Sequence, residues 1–206
     1  MRLRQYITEE TNPDPQKVLL LIKKNCKPYL QQKAKAPLQL FRGTKALEYE
    51  DFLEITPRKD RQPRDTPQKI HKKFDQLFLK YHGIKARSEG VFTTSDNTVS
   101  SFYGINGIVF PIGNFKYLWN PNVKDLSTDP NGANITKPWY KKIFDELMVL
   151  VTKDYENIDD MLENIIKKYK STDLKNAMKS GNEVMIFCKK YYMVDTLYYS
   201  EIFGQL

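Results

Sequence analysis

Three short segments carry side chains suited to chemistry: Leu38-Gln39-Leu40-Phe41-Arg42-Gly43-Thr44, Gly90-Val91-Phe92-Thr93-Thr94-Ser95 and Gly181-Asn182-Glu183-Val184-Met185-Ile186-Phe187. In the first, an arginine ending an apolar run can aim its guanidinium fork at a phosphate, and the glycine beside it lets a ligand approach the backbone. The second ends in consecutive hydroxyls. Hydroxyls without a base make poor nucleophiles, and neither His71 nor His82 stands in a triad pattern with them, so they read as positioning groups and a hydrolase is discounted. The third sets Glu183 directly ahead of an apolar run, so its carboxylate is either a surface edge or a charge held over a pocket. Each segment also has an ordinary reading: Arg42 solvated in a strand-ending turn, and Ser95 or Asp96 acting as a helix cap.

These residues need elements to position them. Asp14-Pro15 reads as a helix cap with proline in the first turn, and Val18, Leu19, Ile22, Cys26, Tyr29 and Leu30 recur at helical spacing, giving an N-terminal helical element over 1–36 that Pro37 ends. Leu38–Phe41 and Phe52–Ile55 read as strands. Thr66-Pro67 opens a helix with an apolar stripe of Ile70, Phe74, Leu77, Phe78 and Tyr81, closed by Gly83. Beyond the hydroxyls, residues 96–103 suit a short helix, residues 107–112 a buried strand, and residues 115–119 an alternating one. A polar loop from Asn120 to Asn134 leads to a helix capped by Thr136 and bearing Trp139, Ile143, Phe144, Leu147, Leu150 and Val151. A second helix carries Ile158, Met161, Leu162, Ile165, Ile166 and Tyr169, so residues 135–170 read as a helical insertion. Glu183–Phe187 and Tyr191–Phe203, rich in tyrosine and apolar residues, read as strands.

The order and strand context of Arg42, Thr93-Thr94-Ser95 and Glu183 resemble the Arg, Ser-Thr-Ser and Glu motifs of the mono-ADP-ribosyltransferases, which split NAD and pass ADP-ribose to an acceptor. The resemblance spans residues 38–195. It implies one α+β domain over 1–206, in which two small antiparallel sheets, split about a central cleft, hold NAD without a Rossmann fingerprint. Consistently, the nine glycines include no Gly-x-Gly-x-x-Gly run. It implies that Arg42 orients the dinucleotide and that the backbone of Gly43 bonds the nicotinamide amide. Thr93, standing where the family has serine, would bond the catalytic Glu183 and fix its rotamer. Thr44, Thr94 and Ser95 join the NAD-binding set, and Tyr103 is a candidate to stack near the nicotinamide ring. Glu183, bound to a ribose hydroxyl, would stabilise the oxocarbenium-like sugar formed as the nicotinamide bond breaks. Where many members carry a second glutamate or a glutamine, this chain has Gly181. That argues against the usual arginine-, asparagine- and cysteine-modifying classes and leaves the acceptor open. The implied partner is a macromolecule, a host protein or a nucleic-acid-associated complex, because compact transferases of this kind occur in bacteriophages and as bacterial toxins; the expected location is cytoplasmic, in the host cell if the chain is viral.

Composition sets the remaining bounds. The chain has 206 residues, 40% hydrophobic and 13% aromatic, enough for a buried core and unlike a disordered segment. Val18–Ile22 is too short an apolar run to span a bilayer and, lying behind Glu9 and Glu10, is no secretory signal, so no membrane partner is expected. Cys26 and Cys188 lack metal-ligand spacing and read as small buried apolar residues; no metal is expected. The formal net charge is +8. Its densest cluster, Arg58-Lys59-Asp60-Arg61-Gln62-Pro63-Arg64, suits contacts to phosphate or carboxylate. One competing class is therefore a basic nucleic-acid- or protein-binding module without catalysis; the other, which the resemblance leaves open through Gly181, is an NAD glycohydrolase.

Overall fold

The computed structural model describes residues 13–33, 38–62, 68–126 and 155–203, with the main chain alone at 155–159 and 161. The expected helix start at Thr66-Pro67, the stop at Pro37, the second half of the 120–134 loop and the helix from Thr136 to Val151 lie outside these residues.

The described residues form an α+β fold with two antiparallel sheets. The larger contains β1 (Phe41–Thr44), β2 (Phe52–Ile55), β4 (Ile105–Pro111) and β7 (Tyr191–Asp195) in the order β1-β4-β7-β2; the smaller contains β3 (Val91–Thr93), β5 (Lys116–Trp119) and β6 (Val184–Phe187) in the order β3-β6-β5. One bridge joins them, between Phe41 and Thr94, whose main chains exchange hydrogen bonds of 2.7 and 3.0 Å. Arg42 and the hydroxyl segment therefore meet where the two sheets touch.

Both faces of the small sheet are covered, which is why Val184-Met185-Ile186 is an unbroken apolar run. Val184 and Ile186 enter one core with Val91, Ile108 and Val194, packed against α1 (Pro15–Asn25), α2 (Lys27–Lys33) and α7 (Leu174–Ser180). Met185 faces a second core with Phe74, Phe78, Leu118, Leu126, Ile166 and Tyr169, under α3 (Gln68–His82) and α6 (Tyr155–Lys167). Two short helices, α4 (Ala86–Glu89) and α5 (Asn97–Ser101), flank β3. The free thiol of Cys26 is buried and, through that burial, pushed up to about 12.

Three elements differ from expectation. The N-terminal periodicity is split at Cys26 into α1 and α2. The first strand lies at Phe41–Thr44 rather than Leu38–Phe41, its start set by the Phe41–Thr94 bridge. Residues 196–203 form helix α8 (Thr196–Phe203), not a strand. Asp195 accepts from the N–H groups of Leu197 and Tyr198 at 2.7 and 3.3 Å, opening a helical turn, and Tyr198 and Ile202 bury one face at i, i+4 spacing. Tertiary packing there overrides a strand-like composition.

Among the described residues, no helix is long and apolar enough to cross a membrane.

Candidate functional site

The three hydroxyls each donate to a main-chain carbonyl around Glu183. Thr93 Oγ1 reaches Val184 O at 2.7 Å, Thr94 Oγ1 reaches Gly181 O at 2.8 Å, and Ser95 Oγ bonds Met178 O. The segment entering β6 is thus gripped before and after the glutamate. Asn182 Nδ2 adds bonds to the carbonyls of Asn120 and Pro121 at 2.9 and 3.1 Å, and Glu183 N–H donates to Lys124 O at 2.7 Å.

This corrects the expected role of Thr93. Its one hydroxyl proton goes to Val184 O, not to the Glu183 carboxylate. The reason is register: Thr93 pairs with Val184, so the two side chains share a face, while Glu183, one residue earlier, projects to the other. Phe92 and Met185 pair on that second face, and there the charges gather. Asp96, not Ser95, caps α5, accepting from the N–H groups of Thr98 and Val99.

The Glu183 side chain is 11% exposed, and its Oε1 lies 3.5 Å from Arg87 Nη1, whose side chain is also 11% exposed. Neither of these two atoms has a hydrogen-bond partner among the described residues, and both are enclosed. Burial and, next, the neighbouring Asp125 push the Glu183 carboxyl up to about 7, against the pull of Arg87, Arg61 and the Leu126 N–H. Such a group is part-ionised near neutrality, as an acid, base or cation stabiliser requires.

Arg61 and Arg87 place their guanidinium carbons 4.3 and 4.5 Å from the centroid of the Phe92 ring. Burial first, then repulsion from Arg42 and Arg87, lowers Arg61 to about 10. Arg42 stands across the sheet joint, its Nη1 donating to Phe92 O at 3.2 Å. Arg42, Arg61, Arg87 and Glu183 therefore converge around β3. Of the basic cluster at 58–64, Arg61 turns inward while Arg58 and Lys59 are exposed.

Gly43 answers a different need from the one expected. A Cβ there would sit 2.0 Å from Ser100 O and 2.8 Å from Tyr103 Cβ, so protein, not ligand, fills the space glycine opens. Its main chain is another matter. Along the edge strand β1, Leu40 O accepts from Val109 on β4 while Phe41 turns both its groups to Thr94; by alternation the N–H and C=O of Gly43 also face away from β4. Thr44 Oγ1 caps the following turn through Ala46 N–H at 3.0 Å. Tyr103 is 48% exposed and close enough to influence Arg61. Gly181, where the second glutamate or glutamine is absent, ends α7 in the left-handed conformation, φ 69°, which favours glycine.

Arg87, Phe92 and a polar cluster behind them carried no recognised pattern in the sequence. Asp75 Oδ1 accepts from the N–H groups of Arg87 and Ser88 at 2.8 and 3.2 Å, Oδ2 accepts from Ser88 Oγ, and His71 Nε2 lies 3.1 Å from Ser88 Oγ. Because the serine proton goes to Asp75, this trio is no nucleophilic triad. It anchors the turn that presents Arg87. The available signal was a polar pair, His71 and Asp75, at i, i+4 along the apolar stripe of α3. Comparison with protein-family models, with curated proteins and with solved structures finds no match to this chain.

Proposed function

We propose that the protein transfers ADP-ribose from NAD to a macromolecular acceptor, releasing nicotinamide. The observation that carries this reading is the nearly enclosed Glu183 carboxylate, raised to about 7 and set at the head of β6 beside Arg87 and Arg61, with Arg42 across the sheet joint. Cleaving the bond between nicotinamide and ribose builds positive charge on the sugar. An ionised carboxylate in a water-poor site stabilises that charge more strongly than one in bulk water. Arg42 orients the dinucleotide by its guanidinium fork. The outward main-chain groups of Gly43 match the donor and acceptor of a carboxamide, and half-exposed Tyr103 offers a ring at the rim. In this reading Thr93, Thr94 and Ser95 act on Glu183 through the main chain on either side of it, at Val184, Gly181 and Met178, not through its carboxylate.

A second reading, a basic binding module that does not turn over NAD, is favoured by one departure from the resemblance: the Thr93 hydroxyl bonds Val184 O and not the Glu183 carboxylate. One experiment separates them. The purified chain is incubated with labelled NAD, with and without cell lysate, beside Glu183→Gln. Nicotinamide release and label on lysate components from the unaltered chain alone support the transferase. Nicotinamide release without label transfer supports a glycohydrolase. Absence of NAD turnover, with salt-sensitive nucleic-acid binding equal in both proteins, supports the binding module.

A further inference from the structure

Arg61 comes from the chain after β2, its N–H held by Ser88 O at 3.2 Å, and Arg87 comes from α4. Both guanidinium groups lie over the single ring of Phe92. Arg61 Nη1, Arg87 Nε and Arg87 Nη1 are enclosed, and no acceptor among the described residues bonds them. Buried donors are ordinarily paired, and charged ones left bare are the most costly. Glu183 stands 3.5 Å from Arg87 without the alignment of a hydrogen bond. Two guanidinium groups thus act on a carboxyl that resists ionisation, beside Asp125, and Arg42 in turn acts on Arg61. The unbonded, planar N–H forks of two arginines match a group with several oxygens and at least two negative charges. Buried Asp75, accepting from the N–H groups of Arg87 and Ser88, holds the Arg87 backbone in advance of any ligand.

We propose that Arg61 and Arg87, stacked on Phe92 and backed by Asp75, form a seat for a diphosphate group. The inference deepens the NAD reading by naming what these two arginines take, and on that reading the group is the pyrophosphate of the dinucleotide. The seat itself needs no turnover, so a nucleoside diphosphate or free pyrophosphate fits the same chemistry.

The test is calorimetric titration of the full chain, at physiological salt, with inorganic pyrophosphate, ADP, NAD and adenosine. Pyrophosphate, ADP and NAD are expected to bind and adenosine to bind at least tenfold more weakly. Arg61→Gln and Arg87→Gln should each weaken pyrophosphate at least tenfold, while Lys189→Gln, an exposed charge on the turn after β6, leaves it unchanged. Should a glutamine variant not fold, as judged by circular dichroism, the lysine variants Arg61→Lys and Arg87→Lys keep the charge, remove the fork and are expected to weaken binding likewise. NAD binding tighter than ADP assigns the seat to a dinucleotide; equal affinities assign it to the diphosphate alone. Equal binding of adenosine and ADP, or pyrophosphate affinity indifferent to both arginines, overturns the proposal. The two readings fail separately. NAD turnover that needs Glu183 but neither arginine removes the seat and keeps the transferase, while arginine-dependent pyrophosphate binding without NAD turnover does the reverse.

Discussion

Two ion pairs in this chain put similar charges to different use. Lys190 and Glu54 meet at 2.5 Å between β2 and the turn into β7, with side chains 53% and 43% exposed. Arg87 and Glu183 stand farther apart, 3.5 Å, with both side chains 11% exposed. The closer pair does less, because water and salt screen it and two long side chains lose rotamer freedom to hold it. The more distant pair sits where Coulomb interactions are several times stronger, so Arg42, Arg61 and Asp125 all act on it or its neighbours. Enclosure, not proximity, decides what these charges can do.

The strongest way to break the contrast is to neutralise each carboxylate in turn. Glu183→Gln is expected to lower nicotinamide release from NAD by about two to three orders of magnitude, the scale of losing a preorganised electrostatic stabiliser. Glu54→Gln is expected to leave the rate unchanged. Equal effects from the two would dissolve the distinction and the proposed role of Glu183 with it. Next in size, Arg42→Ala removes a charged donor from the sheet joint; the loss of about 1.5–3 kcal/mol for a charge-assisted hydrogen bond corresponds to an increase in KM for NAD of about ten- to a hundredfold. An unchanged KM would take Arg42 out of the binding set.

Protonation sharpens the comparison further. With Glu183 at about 7 and the ionised form required, the NAD rate should rise about tenfold between pH 6 and pH 8. Folding stability should move the other way. The carboxyl is raised above its unfolded value of 4.5, so between about 4.5 and 7 the folded chain holds the extra proton and stability falls as pH rises. Urea unfolding across that window should show this slope for the unaltered chain and a flatter one for Glu183→Gln. A rate and slope indifferent to pH would mean that the enclosure of Glu183 is ineffective.

The outer layer of this arrangement was legible in the sequence, and the reasons are local. An apolar run after Glu183 announces a buried strand, and an arginine or hydroxyl at a strand end is visible without a fold. What stayed hidden depends on pairing. Whether Thr93 faces Glu183 or Val184 turns on a single residue of register, which sets the side of the sheet for every side chain. Arg61, Arg87 and Phe92 meet only because the chain after β2, α4 and β3 return to one place, and no periodicity records that. The helix at 196–203 was masked by strand-like tyrosines, although Asp195 ahead of a Tyr198/Ile202 and Tyr199/Phe203 spacing was a helix signal.

Smaller effects test how the inner carboxylate is held. Thr93→Val keeps shape and burial but strips the bond to Val184 O, leaving an inner carbonyl with one partner fewer. A loss of about 1–2 kcal/mol in urea unfolding is expected, with a reduced NAD rate because the main chain beside Glu183 is loosened. A stability loss without a change in rate would confine Thr93 to the fold.

The smallest expected effect is at the outer pair, and it is the control on which the contrast depends. Lys190→Gln removes the 2.5 Å contact to Glu54, yet the carboxylate is left facing water that solvates it as well as the ammonium did. Thermal unfolding should therefore match that of the unaltered chain at both low and high salt, and NAD turnover should be unaffected. A drop in Tm as large as that from Thr93→Val, and one that salt abolishes, would show the exposed pair clamping β2 to β7. Exposure would then no longer be what separates the two pairs, and the enclosed position of Glu183 would lose its claim to be the reason its carboxyl is special.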